Sequence, residues 1–469
     1  MAWLIGFFYL AGFACAIHAV MTTRTAQGAV AWGVSLVSFP FVAVPAYLVF
    51  GRSKFEGFVE AYEERADDID HLVTGVRERL APYQYHTDER TSVYRAIREL
   101  SGLQLTRGNE AELLINGDST FDSILEGVAG ARHYVLFQFY MLHDDALGRR
   151  VKDALVERAR AGVRVYVLYD EVGSAGLPNS YVQDLRDVGV EVSSFRPTQG
   201  SRNRFQLNFR NHRKMVVVDG ATGWVGGHNV GDEYLGLDPD FSPWRDTHVK
   251  LTGPVVIQLQ LVILGDWYWA TRSLPELNWQ PVPAPDSDTV AMIVPFSPSS
   301  RFETAGLFFV AALQAARNRI WISAPYFVPD EAVIKALELA ALRGVDVRIM
   351  TTGKADSLPV YLAAFHYIYQ LRDLGIRFYS YEPGFLHEKV MLIDDEFSTV
   401  GTANYDNRSF RLNFEVTSLI VDRGFASEME AMFEDDFAHS VELDPNTFRE
   451  RPIWWRLGVA LSRLAAPVL

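Results

Sequence analysis

Cysteine is almost missing from this chain of 469 residues: Cys15 is the single one. An intrachain disulfide and a cysteine-based zinc motif are therefore excluded, and a reducing compartment suits the bulk of the chain. Lysine is nearly as scarce, with seven residues, the other basic side chains being arginine. Acidic residues outnumber basic ones 58 to 44, which leaves a net charge of −14. That excludes a broad basic footprint for nucleic acid and a polybasic sheet for anionic lipid. Any phosphate must be met by a local group of cations. Charge is also missing at the start: none precedes Arg24, and none lies between Arg24 and Arg52.

What is present suits a folded, multi-domain protein. Hydrophobic residues make up 49% and charged residues 22%, enough apolar material for two or three cores. The uncharged start holds two apolar stretches, 3–20 and 29–50. Each has about the length that crosses a hydrocarbon core. Pro40 and Pro45 are tolerable in a membrane helix, and Trp3, Trp32 and Tyr47 suit its interfaces. The expectation is a two-helix transmembrane hairpin over residues 1–51. A cleaved signal peptide would lack its positive first region, and two buried core helices are the plainer competitor. The connection carries only Arg24, whereas Arg52, Lys54 and Arg65 follow the second stretch. The positive-inside rule then puts the large domain in the cytoplasm, under a multi-pass anchor. Residues 52–105 form a helical connector. Its apolar positions Phe55, Val59, Tyr62, Ile69, Leu72, Val73, Val76 and Leu80 recur at helical spacing, as for a helix packed on a larger body.

The remainder repeats itself, in lobes spanning 106–280 and 281–469. A strand at 134–140, a helix at 149–160 and a strand at 162–170 match a strand at 320–327, a helix at 332–342 and a strand at 344–351. Arg160-Ala161-Gly162-Val163-Arg164-Val165 lines up with Leu342-Arg343-Gly344-Val345-Asp346-Val347. Strand–helix–strand units predict an α/β fold of two similar lobes, each a parallel or mixed sheet flanked by helices. The proline-rich stretch 274–289 is an extended crossing between them.

Each lobe then presents one pattern at one spacing. His212, Lys214, Asp219, Gly226 and Asn229 correspond to His387, Lys389, Asp394, Gly401 and Asn404, at +2, +7, +14 and +17 from the histidine. A chance His-x-Lys-x4-Asp match is expected on the order of 0.01 times in such a chain. Two of the seven lysines lie in these matches. Residues 215–218 and 390–393 are strand-like, with turns at Asp219-Gly220 and Asp394-Asp395. On a strand, His and Lys two apart share one face. The turn returns the chain so that the Asn comes alongside, and imidazole, ammonium and amide together make a phosphate site. Packing alone does not explain a doubled set, because lysine is rarely buried without a partner or a function.

This doubled motif resembles the signature of the phospholipase D superfamily. Gly401-Thr402-Ala403-Asn404-Tyr405-Asp406-Asn407-Arg408-Ser409 and Asn413-Phe414-Glu415 strengthen the likeness. More narrowly the chain is similar to the bacterial cardiolipin synthases. That likeness rests on the apolar start, Pro243-Trp244-Arg245-Asp246-Thr247-His248, Ala324-Pro325-Tyr326-Phe327-Val328-Pro329 and Arg451-Pro452-Ile453-Trp454-Trp455. It covers essentially the whole chain. The resemblance implies duplicated phospholipase D-type lobes, a bacterial inner-membrane location, no metal and no cofactor. It implies a phosphatidyltransferase that converts two phosphatidylglycerol molecules to cardiolipin and glycerol. A phospholipase D using water or another alcohol is the alternative, and a catalytically dead membrane scaffold a lesser one. Nucleic acid is not expected as a partner. With both motifs in one chain, the site needs no oligomer.

On this reading His212 attacks phosphorus to give a phosphohistidine, and His387 is the acid and base. Lys214, Lys389, Asn229 and Asn404 bind the phosphoryl oxygens. Asp219 and Asp394 belong to the motif but sit at the turns, where they can order structure rather than touch substrate. Glu415 and Asp246 are candidates to orient an imidazole from behind, with ordinary ion pairs as the plain alternative. The residue after the glycine, often Ser in the superfamily, is here Gly227 or Thr402. Glu388 lies between the second His and Lys, and strand alternation turns it away from a phosphate. The tail 453–469 is apolar and aromatic, and suits either a membrane interface or a helix docked on the core. Phe205, Phe209, Tyr326 and Phe385 are candidate linings of a lipid path.

Overall fold

The computed structural model describes residues 2–51, 54–86, 92–199 and 208–466. The uncharged start forms three helices rather than two: α1 (Ala2–Thr22), α2 (Ala26–Ser38) and α3 (Pro40–Phe50). The second apolar stretch is broken at Phe39, whose backbone (φ −133°, ψ 56°) leaves the helical region. Pro40 follows as the first residue of α3 and offers no N–H to continue α2. Only α1 is long and apolar enough to cross a membrane by length and composition, among the described residues. Just 17% of its apolar stretch is buried against protein.

The connector is likewise two helices, α4 (Glu56–Glu63) and α5 (Ala66–Leu80), followed by α6 (Ser92–Ser101). Phe55 anchors its start. Its ring lies 5.1 Å from Phe209, 5.1 Å from Trp269 and 5.6 Å from Phe414, fully buried where the two lobes meet.

Both lobes are α/β, and their strands follow one order. In the first, strands run 106–115, 247–252, 222–226, 215–218, 134–139, 164–170 and 191–195 across the sheet. In the second, 289–296, 413–421, 397–401, 390–393, 319–323, 346–352 and 377–381 take the same places. The inner pair in each lobe is parallel (134–139 with 164–170; 319–323 with 346–352), and the motif strands join antiparallel. The sheets meet where Thr106 and Asn109 pair with Ala291 and Thr289. The long helix Val255–Thr271 is buried along nearly its whole length beneath this junction. An apolar helix of this kind does not span a bilayer; it fills the core between lobes.

The tail forms a helix, Ile453–Leu464. Val459 is buried, and Trp455 packs edge-on against Phe365 of the helix Leu358–Leu371 at 5.0 Å. Ile453, Trp454, Leu457, Leu461 and Leu464 face outward and are more than half exposed. The helix is thus docked on the core and also presents a bare apolar stripe.

Candidate active site

Strands Met215–Val218 and Val390–Ile393 begin just after the two His-x-Lys triplets. Before each histidine a two-residue strand reaches into the other lobe. Arg210–Asn211 pairs in parallel with Asn413–Phe414, and Phe385–Leu386 pairs with Trp244–Arg245. His212 N–H donates to the Phe414 carbonyl at 2.9 Å, and His387 N–H to that of Arg245 at 2.8 Å. Each imidazole is thereby set beside the carboxylate that follows in the opposite lobe. His212 Nδ1 lies 2.9 and 3.0 Å from the Glu415 oxygens, and His387 Nδ1 lies 2.7 Å from Asp246 Oδ2. With Nδ1 bound from behind, each ring turns Nε2 toward the centre.

The two supports are chemically unequal. Glu415 also accepts from Thr402 Oγ1 (2.6 Å), Ser409 Oγ (2.9 Å) and Asn413 Nδ2 (3.0 Å). Asp246 is one methylene shorter and accepts from the Thr247 N–H at 2.8 Å. Its carboxylate fills the place that a side chain on residue 227 would need: a Cβ on Gly227 would collide with Asp246 Oδ1. The Gly227/Thr402 departure therefore follows from which carboxylate stands behind which histidine.

Lys214 and Lys389 are buried, and each Nζ donates to the carbonyl of the histidine two residues earlier, Lys214 at 2.7 Å. Burial drives the Lys214 ammonium well down, with Glu415 opposing. Lys389 is lowered to about 8 by burial, with Asp246 and Glu415 opposing. His212 is pushed down to about 4 by burial, against the pull of Glu415. His387 falls well below the imidazole range through burial, Lys389 and Lys214. Burial would raise Glu415, but His212 and its hydrogen bonds hold it below the usual carboxylate range. Burial thus favours neutral imidazoles and weakens both lysine cations, which an arriving anion would stabilise.

Asn404 has a buried amide oxygen with no hydrogen-bond partner among the described residues. Asn229 is committed to its own lobe: Nδ2 donates to Tyr234 Oη at 2.5 Å and Oδ1 accepts from Met141 N–H at 3.2 Å. The motif aspartates lie elsewhere. Asp219 accepts the N–H groups of Arg132, His133 and Tyr134, all at 2.8 Å. Asp394 does the same for Arg317, Asn318 and Arg319 at 2.7–3.0 Å. Both have left-handed backbones, φ 55° and 51°, a conformation in which Asp is over-represented. In these positions they tie the motif turn to the loop entering the first parallel strand.

Arg213 and Glu388, between His and Lys, point to the opposite face. Arg213 binds Asp266 at 2.7 Å; Glu388 lies 3.1 Å from Arg245, which also holds Asp436 at 2.6 Å. Burial raises the Glu388 carboxyl to about 7, against Arg245. Rings missed in the sequence surround the imidazoles: Tyr140 is 4.9 Å from His212, and Trp244 and Tyr234 are 5.2 and 5.8 Å from His387. Trp244 and Tyr234 stand close after the first motif, the nearest thing to a signal. Of the expected linings, Phe385 stacks 6.0 Å from His387, and Tyr326 bonds Asp356. Phe209 is core beside Phe55, and Phe205 lies outside the described residues.

Paired His–carboxylate units flanking two lysines, on a duplicated α/β fold, mark a phosphatidyl transferase. A family model described as cardiolipin synthase, PLD-like domain, matches residues 124–240 and 309–437, and one described as phospholipase D-nuclease N-terminal matches 10–52. The chain is 48% identical over 472 residues to cardiolipin synthase A of Pseudomonas fluorescens (strain SBW25), covering 100% of this chain and 98% of that one. It is 46% identical over 470 residues to cardiolipin synthase A of Pseudomonas putida (strain GB-1), with the same coverage. The crystal structure of phosphatidylserine synthase from Haemophilus influenzae Rd KW20 shares the fold at 14% identity, with a TM-score of 0.60 over 80% of this chain and 100% of that one. The chain belongs to the cardiolipin synthase family of the phospholipase D superfamily.

Proposed function

We propose that this chain is a cardiolipin synthase that moves a phosphatidyl group from one phosphatidylglycerol to the glycerol hydroxyl of another. The observation that carries this reading is the cross-lobe pairing of His212 with Glu415 and of His387 with Asp246 around two buried lysines. His212 Nε2 attacks phosphorus; a P–N bond forms and the P–O bond to the headgroup glycerol breaks. His387 gives its Nε2 proton to the departing oxygen, then takes one from the acceptor hydroxyl as that oxygen displaces His212. The donor phosphodiester lies between Lys214 and Lys389, with Asn404 as a further contact. Its negative charge offsets the lysines and favours the imidazolium that His387 needs as an acid. His212 is the better nucleophile of the two, since Glu415, held by three further donors, fixes its tautomer and ring.

The membrane is the source of both substrates and the place where the protein works. The inner membrane, with the lobes on the cytoplasmic face, fits the basic residues that follow the apolar start. One chain completes the site.

The test is turnover of labelled phosphatidylglycerol by the purified full-length protein in detergent–lipid micelles, beside His212→Ala and His387→Ala. Cardiolipin plus free glycerol from the wild type, with both variants inactive, is the expected outcome. Phosphatidic acid alone would replace this reading with hydrolysis. Phosphate trapped on His387 rather than His212 would exchange their roles.

A further inference from the structure

The three apolar helices pack together, and the third runs alongside the first. Side-chain pairs fix their directions. Phe41 meets Phe8 and Tyr9 near the start of α1, at 5.1 and 6.1 Å, and Tyr47 Oη meets His18 Nδ1 near its end at 2.7 Å. The helix α3 is therefore parallel to α1. Trp32 lies 5.1 Å from Tyr47, so α2 and α3 fold back on each other about Phe39. The fold-back is seated on Gly12, where a Cβ would collide with the Leu36 carbonyl oxygen and lie 3.0 Å from Pro40 Cβ. Leu36 is fully buried there.

Both ends of this fold-back return to the same part of the catalytic body. Arg24, between α1 and α2, pairs with Glu303 at 3.2 Å. Phe55, just after α3, accepts from Ser299 Oγ at 3.1 Å. Length agrees. At 1.5 Å per residue, α2 with 13 residues and α3 with 11 reach about 20 and 17 Å, short of a hydrocarbon core of about 30 Å; α1 with 21 reaches about 32 Å. The outward faces are mostly apolar: Val30, Val34, Val37, Phe39, Phe41 and Val42 are all well exposed. The Phe39–Pro40 break places non-helical backbone at membrane depth, which a bilayer tolerates where its polar groups are paired: Phe39 N–H donates to the Ser35 carbonyl at 2.8 Å, and the Phe39 carbonyl accepts from Ala43 N–H at 2.9 Å.

We propose that α1 crosses the bilayer once and that α2–α3 is a re-entrant helical hairpin, entering and leaving from the side of the catalytic lobes, with lipid acyl chains around both. The amino terminus then lies on the opposite side from the lobes, whereas two crossings would put both on one side. Charge supports this. Re-entry places Arg24 and Lys54 on one face, which satisfies the positive-inside rule more fully than a loop carrying Arg24 outside.

The inference is independent of the reaction, and its test reads sidedness. In the full-length chain carrying Cys15→Ser, single cysteines are placed as Trp3→Cys or Leu4→Cys, Gln27→Cys, Phe39→Cys and, on the body, Asp286→Cys. Intact cells and inverted membrane vesicles are treated with a membrane-impermeant maleimide. Positions 27 and 286 should label from one face, positions 3 and 4 only from the other, and position 39 only after detergent. Labelling of 27 from the face opposite 286, or of 3 and 4 from the same face as 286, would overturn the proposal. So would rapid labelling of 39 without detergent, or loss of the first residues by cleavage.

Discussion

Replacing Glu415 by Gln removes a charge from behind His212 while keeping nearly the same volume. The carboxylate now accepts from four side chains: His212, Thr402, Ser409 and Asn413. A glutamine can keep its oxygen toward Ser409, Asn413 and His212 and turn its NH2 toward Thr402 Oγ1. The protein should therefore fold. What is lost is the charge assistance to the Nδ1–H bond, since bonds to charged groups contribute about 1.5–3 kcal/mol against about 1 for neutral ones. The difference of about 0.5–2 kcal/mol, felt most as His212 gains positive character in the attack, corresponds to roughly a 2- to 30-fold loss in kcat/KM. Glu415 also holds the His212 pKa up against burial, to about 4. Without it, His212 should protonate at still lower pH, and the acid limb of the rate profile should move down. Rates with labelled phosphatidylglycerol across pH, together with the melting temperature, check this. A loss under twofold with an unchanged acid limb would refute a positioning role and leave Glu415 an ordinary buried acid.

Gly227→Ser, though it restores a residue common in the superfamily, should abolish most activity by displacing Asp246; Thr402→Ser, which keeps the hydroxyl to Glu415, should retain most of it in the same assay. Asp219→Ala removes the acceptor of three backbone N–H groups and leaves alanine at φ 55°. The expected cost of about 2–4 kcal/mol should appear as a melting temperature lower by roughly 5–10 °C, with kcat of the folded enzyme within about threefold; complete loss of turnover in a folded Asp219→Ala would return it to the catalytic set. In the wild type, kcat/KM should fall as pH rises past about 8, where Lys389 loses the proton that makes it a phosphate ligand. A flat profile from pH 7 to 10 would contradict that role.

The repeat shows how far local sequence reaches. His and Lys two apart share a face because strand geometry alternates, and this needs no tertiary information. The same alternation sends Arg213 and Glu388 the other way, each into a buried ion pair. Turns at Asp219 and Asp394 were also visible as Asp-Gly and Asp-Asp after apolar runs, although their left-handed backbones and three-fold capping of a distant loop were not. The membrane segment marks the boundary. Absence of charge identified apolar helices, but composition could not say that Phe39–Pro40 ends one helix rather than bending it. That depends on Gly12 of α1 receiving the Leu36 carbonyl.

By itself the sequence determined the α/β class, the duplication, the two His/Lys pairs and the apolar start, because each follows from periodicity or from equal spacing within a single strand and turn. Only the tertiary structure decided that Glu415 serves His212 and Asp246 serves His387. Those carboxylates stand 28 and 34 residues from the histidine of their own lobe, with unequal intervening loops, and no fixed spacing betrays them. They are brought across by two short parallel pairings between lobes, 210–211 with 413–414 and 385–386 with 244–245. Contacts of that kind are set by how two sheets meet, a property of the folded whole that a local pattern does not carry.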